Sequence, residues 1–489
     1  MPDYYQQPEY LRDLDTTTTT TSTTAPVPVQ TTYQTTTQTY TPAPESSKNR
    51  LPLIILGVVG GIILLLLILL LLNRGGGATT PPSDQKIVLQ WWGVFMDEEV
   101  VQPLIDEYQN QNSNVTIEYA NKWPQGQYSD AVGIYKSELN RVLRLGDQVQ
   151  IPDIFMVDST WVGDYERYAK TSTTFDAETF RNTFHDAVAT NFISNNQVYG
   201  VPLWIDTLAI LYNKDLLAEK SISAPPVTWS SFKTLAQNLT KKTGNTMQQA
   251  GFAAGTANNV SYATELLQLL MLQNGVSLTD ETGQPSFSTD PDSVTALEFY
   301  KSFANTTSGT WTTSFTNDAA SFLEGKTAMI AAPSYRYRDI LYFNELYEIG
   351  MDIGVAQMPQ IDEGQSLSWA DYWGNMVALN RPNSQAAWEF LRWLTQPEQL
   401  RKLNDNIKAH NKYFGILYPR RDMSSELQND EYLQVYNQMI PSARTWYMVK
   451  GLEIEAEFKK LINSGGTSQS QIAQIENAIQ ILINNKGQL

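Results

Sequence analysis

Val198-Tyr199-Gly200-Val201-Pro202-Leu203-Trp204-Ile205-Asp206-Thr207-Leu208-Ala209-Ile210-Leu211-Tyr212-Asn213-Lys214-Asp215 is the stretch on which the fold turns. It reads as a short turn, a crossing and a strand. Gly200 and Pro202 interrupt the chain ahead of an apolar run that ends at Tyr212 and Asn213. Downstream, Pro225-Pro226-Val227-Thr228-Trp229 opens a helix. One polar residue stands out in the run. A carboxylate between Ile205 and Thr207 is costly unless something hydrogen-bonds it. A ligand hydroxyl can supply that partner for Asp206, and so can a backbone amide.

Outward from this stretch the chain divides by composition. Leu51–Leu72 is an uninterrupted apolar segment of 22 residues. At about 1.5 Å per residue it matches the roughly 30 Å hydrocarbon core of a bilayer. A 50-residue tail precedes it, unlike a signal peptide, so a permanent single-pass anchor is expected; Ala78 after Gly75-Gly76-Gly77 keeps cleavage as an alternative. Lys48 and Arg50 against Arg74 favour a cytoplasmic N-terminus and an extracellular C-terminal part. Residues 1–50 are Thr-rich, with six consecutive threonines from Thr16 to Thr21, and cannot bury a core. Residues 73–84 read as a linker.

The formal net charge is −17, and residues 75–489 hold 46 of the 51 acidic and 30 of the 34 basic side chains. Such a surface disfavours nucleic acid as a partner. With no cysteine there is no disulfide and no Cys-ligated metal. His185 and His410 are the only histidines and lie far apart without a metal-ligand pattern. No cofactor motif, nucleotide loop or catalytic triad signature is present.

From Lys86 onward strands alternate with helices. Lys86–Gln90, Val115–Tyr119 and Ile154–Val157 read as strands, and Glu98–Gln109 has helical spacing between the first two. Asp290-Pro291 is a helix start. Ile472, Ile475, Ile479 and Leu482 mark one face of a terminal amphipathic helix. The fold class is α/β, with parallel sheets covered by helices.

The opening stretch followed by Pro225-Pro226 and Thr228-Trp229 resembles the extracellular solute-binding proteins of ABC importers, in particular their sugar-binding, maltose-binding-protein-like branch. Further similar segments run in family order: Pro152-Asp153-Ile154-Phe155, Gly325-Lys326-Thr327-Ala328-Met329, Ile353-Gly354-Val355-Ala356, Ala387-Trp388-Glu389-Phe390-Leu391 and Tyr418-Pro419-Arg420-Arg421. Each is weak alone; their shared order is not. The chain departs from bacterial relatives in lacking a lipidated cysteine, which the apolar anchor would replace. The resemblance implies a two-lobe periplasmic-binding-protein-like fold with an interlobe hinge. Residues 85–204 with 365–412 would form lobe 1, and 205–364 with 413–489 lobe 2. It implies capture of a carbohydrate and its delivery to an ABC transporter permease, with no chemistry done on the ligand.

A sugar presents hydroxyls and flat C–H patches, so its site needs rigid aromatic faces and carboxylate or amide acceptors. The resemblance places ligand contacts at Trp91 and Trp92, one of which is expected to plug the core instead. Asp158 and Trp161 follow the third strand, where Asp158 could equally cap a helix. Trp204 and Asp206 sit at the crossing. Tyr335 and Arg336 follow a strand, with a surface salt bridge as the plain reading of Arg336. Trp369, Asp371, Tyr372 and Trp373 form the densest aromatic-acidic cluster, and at least one of them is expected to pack on the helix of Trp388. Asn258 and Tyr262 precede the helix over 264–274; an ordinary surface loop suits them as well. Three other readings stay open on sequence: a glycan hydrolase, an adhesin or sensor of the same fold, and a polyamine rather than a sugar ligand.

Overall fold

The computed structural model describes residues 86–124, 131–146, 149–413 and 415–485. The expected Thr-rich tail, membrane helix and linker lie outside the described residues. Among the described residues no helix is long and apolar enough to cross a membrane.

Two five-stranded sheets organise the chain. The strands are β1 (Ile87–Gly93), β2 (Val115–Asn121), β3 (Ile154–Asp158), β4 (Gly200–Pro202), β5 (Asp206–Asn213), β6 (Met329–Pro333), β7 (Ile353–Ala356), β8 (Ser368–Asp371), β9 (Trp373–Val377) and β10 (Ala443–Arg444). The helices that matter below are α1 (Glu98–Gln111), α2 (Ala131–Leu145), α3 (Asp186–Phe192), α4 (Ala263–Gln273), α5 (Ser334–Leu346), α6 (Ser384–Leu394), α7 (Gly451–Asn463) and α8 (Gln469–Asn484).

The first sheet has the order β2-β1-β3-β9-β4. β1, β2 and β3 are parallel, whereas β9 runs antiparallel to β3 and β4. In the second sheet the order is β6-β5-β8-β10, with β7 also on β5. β5 is antiparallel to β6, β7 and β8, and all eight of its residues are buried. That burial explains its unbroken apolar reading: a strand covered on both faces has no solvent side to alternate with.

The chain passes from the first sheet to the second between Pro202 and Asp206, and returns between Asp371 and Trp373. Around residue 417 a third segment joins these two, the Ile205 N–H donating to the Leu417 carbonyl at 3.0 Å. Register pairs Asp206 with Asp371 in the second sheet and Asp158 with Trp373 in the first. The Phe192 ring of α3 lies directly on the backbone of both β4 and β9: a Cβ at Gly374 would come within 2.3 Å of it.

Two sequence expectations shift. The return crossing falls at 371–373, so residues 368–371, expected in lobe 1, pair instead in the second sheet. Trp91-Trp92-Gly93, expected after the first strand, form its last three residues because β2 pairs as far as Asn121. Helices begin close to expectation. The one after Asp290-Pro291 spans Asp292–Lys301, and the terminal one, α8, buries Ile472, Ile479 and Ile483.

Candidate functional site

The carboxyl ends of β1, β2 and β3, the two crossings and the start of α5 meet where the sheets approach each other. In α/β lobes, strand ends of this kind are where ligands bind.

The first-sheet side is aromatic. Trp373 is 9% exposed and is ringed by Trp161 at 4.9 Å, Phe95 at 5.2 Å, Tyr135 at 5.9 Å and Trp123 at 6.4 Å between ring centroids. Phe95 and Trp123 touch at 4.3 Å. Phe95 is 49% exposed and is held at φ +64°, a conformation that bulky residues rarely adopt. Lysines lie over two other rings of this wall: Lys122 over Trp92 at 4.3 Å and Lys136 over Trp161 at 4.8 Å.

The acidic side chains have distinct environments. Oδ1 of Asp158 accepts the N–H and hydroxyl of Thr160 at 2.8 and 2.6 Å, capping the turn Ser159–Trp161. Burial, reinforced by Glu455, pushes its pKa up to about 6 against the pull of the Thr160 bonds and of Lys136. Asp206, 5% exposed, is committed on both oxygens. Oδ1 accepts the Thr207 and Ser334 amides at 2.7 and 3.0 Å; Oδ2 accepts the Ser334 hydroxyl at 2.7 Å and the Tyr335 amide at 3.3 Å. It therefore caps α5 from 128 residues earlier in the chain, and its negative charge suits the helix N-terminus. Burial still raises its pKa to about 6. Glu265, in the first turn of α4, accepts the Thr264 hydroxyl at 2.9 Å, and burial plus Glu455 raise it to about 7.

On the second-sheet side, the Tyr262 hydroxyl donates to that of Tyr335 at 2.8 Å, and the Arg336 guanidinium lies 5.7 Å from the Tyr262 ring. Tyr335 keeps 39% exposure. Its hydroxyl is nevertheless raised well above 10, by burial among the surrounding groups and then by Tyr262 and Asp371, as expected on a concave wall.

The structure thus brings together Asp158, Trp161, Asp206, Tyr262, Tyr335, Arg336, Asp371 and Trp373. Trp92, 8% exposed, lies beside them at the end of β1, and the partly buried Trp204 stands on the first crossing. Four expected residues do other work. Trp91 is a core residue: its indole donates to Asn375 Oδ1 at 2.9 Å and it packs on Tyr119 and Phe390. Trp369 is 2% exposed within β8. The Tyr372 hydroxyl lies 2.7 Å from Asn191 Oδ1 and 3.0 Å from the Ala187 carbonyl, so Tyr372 is held by α3. Asn258 is an exposed loop residue whose Oδ1 accepts the Asn463 amide at 2.9 Å. Of the two partners the sequence left open for Asp206, the structure supplies backbone amides, together with the Ser334 hydroxyl.

Sequence reasoning missed Phe95, Trp123, Glu265 and Glu455. Phe95 and Trp123 stand two residues past the ends of β1 and β2, the same criterion that selected Asp158 and Trp161. Nothing local marks Glu265 or Glu455, since a glutamate within a helix is ordinary. Among the described residues no group of three or more His, Asp or Glu side chains could hold a metal ion.

A family model described as bacterial extracellular solute-binding protein matches residues 103–479. A probable ABC transporter-binding protein of Deinococcus radiodurans is 22% identical over 57% of the chain and 66% of its own length. A maltotriose-binding protein of Pyrococcus abyssi is 21% identical, over 71% of the chain and 69% of its own length. Among solved structures, the sugar-binding protein MalE from Xanthomonas citri superposes with a TM-score of 0.65 at 18% identity, covering 82% of this chain and 98% of that one. At that identity the likeness shows the fold: two α/β lobes.

Proposed function

The chain belongs to the bacterial extracellular solute-binding protein family, and we propose that it captures a carbohydrate between its lobes and presents it to an ABC transporter permease. The observation that carries this reading is the pairing of an aromatic wall, Phe95–Trp123–Trp373–Trp161, with the carboxylates of Asp158 and Asp371 at the lobe boundary. Flat C–H faces of a pyranose suit the rings, and hydroxyls suit the acids. The names of relatives that bind maltotriose and other sugars support the same ligand class.

Hinge bending at 203–206 and 371–373 would close the lobes over the ligand. Ligand contacts made only in the closed form would populate it, and that form would be the one the permease recognises. In this reading Trp92, Asp158, Trp161, Trp204, Tyr262, Tyr335, Arg336, Asp371 and Trp373 line the site, while Asp206 positions Tyr335 and Arg336 through the start of α5. Residues 51–72 would anchor the protein in the membrane with the lobes outside.

The test is thermal unfolding of the full-length chain in detergent against mono- and oligosaccharides. A ligand at about 100-fold excess over its Kd adds about 2.7 kcal/mol, an upward melting shift. A shift with a saccharide that is reduced in Trp373→Ala supports the reading. Absence of any saccharide shift refutes the ligand class.

A further inference from the structure

Residues 445–450 tie the two sheets' surroundings together by contact rather than by a crossing. They follow β10 of the second sheet and lead into α7, which packs on α4 and α8. Trp446 is held from both sides. Its indole donates to Gln268 Oε1 of α4 at 2.7 Å, and its carbonyl accepts the side-chain amide of Asn191 in α3 at 3.1 Å. Lys450, turned to φ +65°, aims its N–H at Asp164 Oδ1, 2.7 Å away. The other Asp164 oxygen pairs with Lys136 of α2 at 3.0 Å, and Lys136 also lies 4.0 Å from Glu453 in the first turn of α7.

Two glycines permit this seating, one on each side. Gly163 lies in the helical turn Val162–Tyr165, and a Cβ there would come within 2.5 Å of the Met448 carbonyl and 2.6 Å of Val449 Cγ2. Gly451 opens α7, and a Cβ there would come within 2.5 Å of Thr160 Oγ1 and 2.6 Å of the Thr160 carbonyl. Neither glycine has a positive φ, so neither backbone position calls for glycine. Both are helical, where alanine is the better former. What excludes a side chain at each is the opposing chain, whose carbonyls no rotamer change can move aside. Thr160 belongs to the turn Ser159–Trp161 that Asp158 caps. The seat of α7 and the part of the ligand wall formed by Asp158 and Trp161 are therefore one element, and an element with two partners couples them.

We infer that Gly163 and Gly451 form a closure seam: bare backbone on both faces lets the start of α7 seat on the Trp161 turn, and this seating holds the two lobes together across the site. The inference rests on the hinge-bending reading and is independent of the ligand class. A methyl group at either glycine wedges the seam, and the hinge offers the relief. Overpacking of this kind shifts the ratio of seated to parted lobes by about tenfold or more.

The chain has no cysteine, so Arg144→Cys on α2 and Lys460→Cys on α7, both at exposed positions, give the full-length protein two unique labelling points. Pulsed electron–electron double resonance in detergent, with no sugar added, reads the distance between nitroxides at the two positions. In Gly451→Ala and in Gly163→Ala the short distance of the glycine parent should give way to a longer one. The double variant should add little to either single one, because a seam already parted has nothing left to clash. Melting curves accompany each protein. Unchanged distances with unchanged melting would overturn the inference and leave hinge bending standing, since the seam then absorbs the methyl groups. Unchanged distances with melting lowered by several degrees would overturn both, since the lobes then do not part. A longer distance in only one of the two variants would overturn the two-sided seam.

Discussion

Asp206→Ala separates positioning from ligand contact at the crossing. The substitution removes both oxygens that accept the Thr207, Ser334 and Tyr335 amides and the Ser334 hydroxyl. Loss of a helix cap costs about 1 kcal/mol, and each buried donor left unpaired about 1–3 kcal/mol. Relief of the buried charge offsets part of this. Its pKa of about 6, against 3.8, means that holding it ionised costs about 3 kcal/mol at neutral pH. Two or three stranded donors outweigh that gain, so a net loss of about 1–4 kcal/mol is expected. For some 400 folded residues, at about 2.1 cal/mol/K per residue, this lowers the melting temperature by about 1–5 °C. Asp206→Asn, which keeps one acceptor oxygen, should lose less. Differential scanning calorimetry without ligand reads both variants. An Asp206→Ala protein that melts at the wild-type temperature yet has lost ligand binding would refute the capping argument and make Asp206 a direct contact.

Phe95→Gly removes a strained positive-φ side chain, so stability should hold or rise by about 1 kcal/mol while ligand affinity falls; equal affinity would remove Phe95 from the site. Asp164→Ala strands the buried Lys136 ammonium and the Lys450 amide that Asp164 accepts at 2.7 Å, for a loss of about 3–5 kcal/mol in chemical denaturation. A loss below about 1 kcal/mol would contradict it. Stability should also depend on pH in a defined direction. Asp158 and Asp206 (about 6) and Glu265 (about 7) hold protons that the unfolded chain releases, so stability grows as pH falls from about 7 to about 4. Buried His185, lowered to about 4, works against this as pH falls from 6.5. Three groups outnumber one, and the melting temperature should climb from pH 8 to about 5; a flat or falling profile over that interval would count against the burial of these acids.

Much of the architecture was legible because it is local. Gly200 and Pro202 ahead of an apolar run announce the crossing and β5, and alternating strand and helix patterns announce the two sheets. Even the choice between Trp91 and Trp92 was anticipated as a choice, though not which one would enter the core. The structure assigns Trp91 to the core because Asn375, 284 residues away, offers its indole an acceptor. The same holds for Asp206, whose partners open a helix 128 residues later, and for Tyr372, held by α3. Phe95 and Trp123 went unseen although they obey the strand-end rule, since an aromatic residue in a loop has no periodicity to mark it.

By itself the sequence determined the strand and helix order, the crossing and the family resemblance, all of which depend on neighbours within a turn or a strand. Only the tertiary structure decided how burial and hydrogen bonds are shared among like residues. An aspartate becomes a helix cap or a carboxyl whose pKa is pushed up by burial and neighbouring acids according to which distant groups reach it, and Asp206 and Asp371 face each other across one pair of strands.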